Sequence, residues 1–169
     1  MEICLKMNNK NLIILVGNIG SGKSIYAKKY QRKGYVIIAR DQLRYAIGNG
    51  EYVFNYDYED IIWKTEHYMF RKFINLGANI IIDEVGITKL MRKRYISYAK
   101  KNKYKITVIE MPRFCMKKAV KRRLKNPHGQ PDCKLWEQVW TKFEGMYEQI
   151  DIKSEHIDKH VKVKKEEVS

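Results

Sequence analysis

Apolar residues bunch into short runs along the first two thirds of the chain, and each run stops at a glycine, an acid or a turn. Asn11 to Val16 is a nearly unbroken apolar stretch of strand length that ends at Gly17, which predicts a strand buried on both faces. Tyr35 to Ala39 predicts a second strand, Asn79 to Ile82 a third that stops at Asp83, and Tyr104 to Glu110 a fourth. Between these runs the period becomes helical. Lys23 to Gln31 and Asp41 to Ile47 predict helices, the second broken by Gly48, Asn49 and Gly50. Asp57 to Leu76 carries Ile61, Ile62, Met69 and Phe73 at helical spacing and ends at Gly77. Thr88 is placed to cap a helix that runs to about Asn102. Pro112 is placed to open a basic helix running to about Asn126. Asn126 to Asp132 reads as a loop, Cys133 to Glu148 as a last long helix with Leu135, Val139, Trp140 and Phe143, and Val161 to Val163 as a closing edge strand.

Strands alternating with helices predict an α/β fold: a parallel sheet of four or five strands, helices on both faces and a short lid. Residues 1–150 form the expected domain, and 151–169 a tail or an edge strand of that domain. In such sheets ligands bind beyond the carboxyl ends of the strands. Gly17, Ala39 to Asp41, Asp83 and Glu110 all follow strands there, so four segments are expected to converge.

Composition narrows the setting. The chain has 169 residues, enough for one domain with a real core. Its longest apolar run is too short to cross a bilayer, and the residues from Met1 to Lys6 lack the apolar core of a signal peptide. Cys4, Cys115 and Cys133 are sparse, odd in number and without metal-like spacing. These features fit free thiols and a cytoplasmic protein with no membrane partner. The net charge is +15, and from Lys89 to Lys125 there are 15 lysines and arginines against one acid, Glu110. The stretch Asp151 to Ser169 is neutral. Such a block is an electrostatic footprint for a polyanion, although a solvated helix face in a Lys-rich chain has the same composition. No protein partner can be inferred.

Gly17-Asn18-Ile19-Gly20-Ser21-Gly22-Lys23-Ser24 matches the G-x-x-x-x-G-K-[ST] phosphate loop and stands after a strand and before a helix. Its glycines let backbone N–H groups turn toward phosphates, and the following helix points its positive end at the same anion. Lys23 is suited to the outer phosphates of ATP or another nucleoside triphosphate, and the Ser24 hydroxyl to magnesium. The acceptor must be held elsewhere. Asp41 follows the second strand, where a carboxylate can take the proton of an attacking hydroxyl. Its alternative role is a helix N-cap. Arg44, at i+3, shares its face and can fork onto an acceptor phosphate. Asp83 ends a strand as a magnesium-supporting carboxylate does, while the adjacent Glu84 could instead activate water. Arginines before the Asn126 loop can close over a triphosphate. Tyr45, Tyr52, Phe54, Tyr56 and Tyr58 lie near the acceptor segment, where one or two could stack on an unpaired base.

These residues resemble the kinase domain of phage-type polynucleotide 5′-kinases, within the P-loop kinase superfamily, from about Asn11 to Tyr147. The similarity rests on Gly17 to Ser24, the Arg-Asp-x-x-Arg set of Arg40, Asp41 and Arg44, the strand ending at Asp83, Arg92 and Arg94, Glu110 to Pro112, and the Arg123 region. The resemblance implies Asp41 as general base on a 5′-hydroxyl and Arg44 on the 3′-phosphate of the terminal nucleotide. It further implies Arg123 as the lid arginine on the donor phosphates, with Arg122 as the alternative. The acceptor would be a DNA or RNA 5′ end. The chain departs from the family at Glu84-Val85, where a Thr-Asn pair is usual, and at Ala119, where a second lid arginine is usual. It also lacks an Asp-x-Asp-Gly phosphatase motif. A kinase acting on a nucleoside, nucleotide or sugar, a P-loop ATPase using Asp83-Glu84, and an inactive nucleotide-binding module are the alternatives.

Overall fold

The computed structural model describes residues 10–168. Among these described residues five parallel strands make one sheet in the order β2-β3-β1-β4-β5. They are β1 (Asn11–Val16), β2 (Val36–Ile38), β3 (Ile80–Ile82), β4 (Lys105–Glu110) and β5 (Lys159–Lys162). β1 is central: Leu12 pairs with Ile80 on one side and Ile106 on the other. A central strand has no wet face, which is why residues 12 to 16 are all apolar and buried.

Among the described residues six helices cover the sheet: α1 (Lys23–Gln31), α2 (Arg40–Ile47), α3 (Tyr56–Asn75), α4 (Lys89–Lys101), α5 (Met116–Arg123) and α6 (Cys133–Gly145). Alternate residues of each strand point to opposite faces. Leu12, Ile14, Ile82 and Ile106 pack against α3 and α4 through Phe70, Ile74, Ile96 and Ala99. Ile13, Leu15 and Ile81 pack the other way, against Ala27 of α1 and Ala119 of α5. A third cluster joins Ile19 of the phosphate loop to Val120 and Trp136.

Three sequence expectations shift. The helix expected to open at Pro112 begins only at Met116. The amide of Met111 still donates to Val16 in continuation of the sheet, and Cys115 is extended as the cap. The buried stripe of α3 is Ile62, Glu66, Phe70 and Ile74, and Ile61 faces solvent. An acid inside that stripe masks its true phase. The closing strand lies at Lys159–Lys162, with the amide of Val163 still bonded to Glu110, and pairs in parallel with β4. Cys115 and Cys133 are free and exposed, and Cys4 lies outside the described residues. Among the described residues no helix is long and apolar enough to cross a membrane.

The basic block is split by the fold. Arg92 is wholly buried, its Nε and NH2 donating to Glu155 at 2.6 and 2.8 Å and its NH1 to the Gly86 carbonyl at 2.9 Å. Lys100 pairs with Asp158, and Arg113 with Glu144. Lys89, Lys93 and Arg94 on α4 and Lys117, Lys118 and Lys121 on α5 remain exposed, on opposite sides of the sheet.

Candidate active site

The phosphate loop lies between β1 and α1 and is held from three sides. The amide of Gly17 donates to the Val85 carbonyl at 3.0 Å. The Asn18 side chain donates to the Trp140 carbonyl at 3.0 Å and to Glu144 at 3.2 Å, so it ties the loop to α6. Arg122 donates to the Gly20 carbonyl at 2.7 Å and to the Val168 carbonyl at 2.6 Å. Gly20 has a φ of +66°, and a Cβ there would lie 2.3 Å from the Ala119 carbonyl oxygen, so only glycine fits. The C-terminal 3-10 turn, Lys165–Val168, backs the loop at Gly22. Neither this turn nor the role of Arg122 has a signal in the local sequence.

Inside the loop Lys23 donates to the carbonyls of Gly17 and Asn18, both at 2.9 Å. An ammonium has three N–H donors, so one is left for a phosphate oxygen. Burial pushes the Lys23 ammonium below its ordinary value, against the pull of Asp83. Burial pushes the Asp83 carboxyl up, against Lys23 and the neighbouring Ser24 hydroxyl. Asp83 Oδ1 and Ser21 Oγ are buried without a hydrogen-bond partner. Buried polar atoms are seldom left so, and both stand where a phosphate and its cation would be received. Among the described residues no cluster of three or more His, Cys, Asp or Glu side chains could hold a metal alone. Ser24 and Asp83 are the side chains here that could share a magnesium ion with nucleotide oxygens.

After β2, Asp41 lies in the first turn of α2 without capping it: the N-cap position is Ala39. Its Oδ1 accepts from Arg44 at 2.6 Å and from the Tyr52 hydroxyl at 2.9 Å. Its Oδ2 lies 3.6 Å from Nε2 of His128. Burial raises the Asp41 carboxyl, but His128, the Tyr52 hydrogen bond, Arg44 and Arg123 outweigh it and hold the group below its ordinary value. The carboxylate is thus kept charged and part-exposed. Arg44 is only 8% exposed and is also forked onto Glu59 at 2.8 and 2.5 Å. Its guanidinium is fixed between two acids, which orients it but leaves fewer donors for an acceptor phosphate than an unpaired arginine has.

Arg122 and Arg123 separate clearly. Arg122 faces the loop backbone and Phe114. Arg123 lies over the Trp136 ring at 4.3 Å, its Nε is buried without a partner, and Asp41, Tyr52, Tyr45 and Asp83 are within its electrostatic reach. Burial pushes its guanidinium below the ordinary value. Glu84 is engaged by Arg40: its Oε1 accepts from the Arg40 amide at 2.7 Å and its Oε2 from the Arg40 guanidinium at 2.5 Å.

Sequence reading passes over His128, which sits unremarked in the Asn126 to Asp132 loop. It is 9% exposed, with a φ of +49°. Its Nδ1 is 2.9 Å from the Tyr45 hydroxyl, and its ring packs on Tyr52 with centroids 4.6 Å apart. The loop between α5 and α6 therefore closes directly onto Asp41. Tyr45 and Tyr52 belong to this cluster, whereas Phe54, Tyr56 and Tyr58 are exposed.

Structures of a Pnkp1/Rnl/Hen1 complex are similar in fold: one at 24% identity over 68% of this chain with a TM-score of 0.56, another, of the RNA repair complex, at 22% over 87% with 0.64. This chain spans 39% and 48% of the length of those two chains. The Mycobacterium tuberculosis APS kinase CysC, solved with AMPPNP and APS, is similar over 94% of this chain and 92% of its own, at 13% identity and a TM-score of 0.57. No curated protein matches the sequence. Identities this low establish the fold, a P-loop kinase-like fold, and that fold implies nucleotide binding. The AAA domain family matches residues 12–149, nearly all of the sheet and its helices, and the chain belongs to that family.

Proposed function

We propose that the protein transfers the γ-phosphoryl group of ATP to the 5′-hydroxyl of DNA or RNA. The observation that carries this reading is Asp41. It is a charged, part-exposed carboxylate on the acceptor side of the phosphate loop, sharing one electrostatic field with Lys23, Asp83 and Arg123. The bond from the γ-phosphorus to the bridging oxygen breaks, a bond to the 5′-oxygen forms in line, and the hydroxyl proton passes to Asp41. Lys23, the loop amides and Arg123 meet the charge that develops on the transferring group. Ser24 and Asp83 would hold a magnesium ion together with the nucleotide, and the ion would add further charge neutralisation. Arg44 positions Asp41 and presents its remaining N–H groups to the acceptor phosphate. Arg123, rather than Arg122, serves as the lid arginine.

Two features favour a polynucleotide acceptor over hydrolysis or a small metabolite. Glu84, the residue an ATPase would use to activate water, has both oxygens taken by Arg40. The exposed lysines and arginine on α4 give a strand's phosphates somewhere to lie. Structures of similar fold come both from an RNA repair complex and from an APS kinase, so the reading rests on the two features above. The test is transfer from γ-labelled ATP with magnesium to a 5′-hydroxyl oligonucleotide, with nucleosides and sugars as parallel acceptors. Labelled oligonucleotide is expected, its KM rising with salt and its formation blocked by a pre-existing 5′-phosphate. Transfer to a nucleoside or sugar alone would replace the polynucleotide with a small acceptor. Phosphate release without any labelled acceptor would make the protein an ATPase.

A further inference from the structure

Beneath the carboxyl end of β3, on the face covered by α3 and α4, is a cavity of about 230 Å³. Ile14, Ile82, Met91 and Phe143 give it apolar walls, and Trp63 and Tyr95 aromatic ones. Its polar residues are few: Arg40, Glu84 and Arg94. Arg40 and Glu84 are the sequence neighbours of Asp41 and Asp83, so the cavity adjoins the place where an acceptor would meet the donor.

Two observations point to what it holds. The Trp63 indole is stacked on His67, with centroids 4.2 Å apart and planes 22° apart, which fixes its plane. The guanidinium of Arg94, an exposed side chain on a surface helix, lies over the same indole at 5.5 Å. That spacing is looser than a stack. Second, Arg40 Nε is shut off from solvent with no acceptor, although the same guanidinium bonds Glu84 through NH2. A buried donor left unmade is costly. A ligand with a ring-nitrogen or carbonyl acceptor would satisfy it. A sugar needs many hydroxyl partners, which these walls lack. A flat, apolar-faced ring with acceptors on its edge fits them.

We infer that this cavity seats the nucleobase of the acceptor's terminal nucleotide, stacked between Trp63 and Arg94 with an edge acceptor on Arg40 Nε. The inference rests on the polynucleotide reading and names the part of the acceptor that the reading leaves unplaced. Every base has a π-face and an edge acceptor, so the seat tolerates any sequence.

The experiment compares two 5′-hydroxyl oligonucleotides that differ only in an abasic residue at the 5′ end. Binding is measured by fluorescence anisotropy with a non-hydrolysable ATP analogue, and phosphorylation in parallel with ATP. The abasic end should bind about tenfold more weakly, the size expected of one base–aromatic stack. Trp63→Phe should keep most of that difference and Trp63→Leu should lose it. Equal binding of the two oligonucleotides to the wild type would overturn the inference, and this arm needs no variant to fold. So would an undiminished difference in Trp63→Leu. If neither oligonucleotide is phosphorylated, the proposed function falls, and the anisotropy comparison still decides the base seat.

Discussion

Replacing Asp41 by asparagine separates chemistry from architecture, because the two effects differ greatly in size. Asparagine keeps an oxygen that can accept from the Tyr52 hydroxyl, now at 2.9 Å. It loses the ion pair with Arg44, but Arg44 remains forked onto Glu59. The Asp41 side chain is 40% exposed, so the lost pair is partly screened and costs about 1 kcal/mol or less. At this chain length that lowers Tm by about 2–4 °C. The loss of a general base is far larger, about 10²- to 10⁴-fold in rate, or roughly 3–5 kcal/mol in the barrier. Because the carboxyl is held below its ordinary value, the base is already charged at neutral pH and the wild type needs no alkaline activation. The assay is label transfer from γ-labelled ATP to a 5′-hydroxyl oligonucleotide, beside thermal melting and ATP-analogue binding. Asp41→Asn should melt within a few degrees of wild type and bind nucleotide normally, yet transfer at least 10²-fold more slowly. Transfer within a few-fold of wild type would refute the assignment of Asp41 as the base.

Arg122→Ala should destabilise the fold and weaken ATP binding. It removes two hydrogen bonds that brace Gly20 against the C-terminal turn, each worth about 1.5–3 kcal/mol when the donor is charged. Arg123→Ala should lower Tm by less than Arg122→Ala, because its Nε has no partner to lose and only the contact with the Trp136 ring goes, yet slow transfer about 10²- to 10³-fold. Melting and single-turnover rates distinguish the pair. Burial and then Arg123 hold the His128 imidazolium below its ordinary 6.5. As pH falls below 6.5 the unfolded chain takes up a proton before the folded one does, so wild type should lose stability relative to His128→Asn. Asparagine tolerates the left-handed backbone there, and urea melts at stepped pH values give the difference. Arg92→Ala should cost about 3–5 kcal/mol by stranding Glu155, seen as a lower urea midpoint.

The sequence by itself determined the parallel sheet, the phosphate loop and the meeting of the segments after β1, β2 and β3, because these rest on local rules, whereas Glu110, expected to join them, is engaged by Tyr147 and His160. Continuous apolar runs require strands buried on both faces, and a glycine-rich turn between strand and helix has one chemical use. Asp41, Arg44 and Asp83 could be singled out from their places after strands. Only the tertiary structure sets Arg122 on the loop backbone and Arg123 over Trp136. Adjacent helical residues diverge by about 100°, so which of them faces the site depends on how α5 packs on the loop. The same holds for His128, brought to Asp41 by an irregular loop that carries no periodic signal, and for Glu66, an acid in a buried stripe that hides the phase of α3. The basic block was legible as charge, but its meaning was not. Burial turned Arg92 into a structural ion pair and left its neighbours Lys93 and Arg94 in solvent, because a helix face is set by long-range packing.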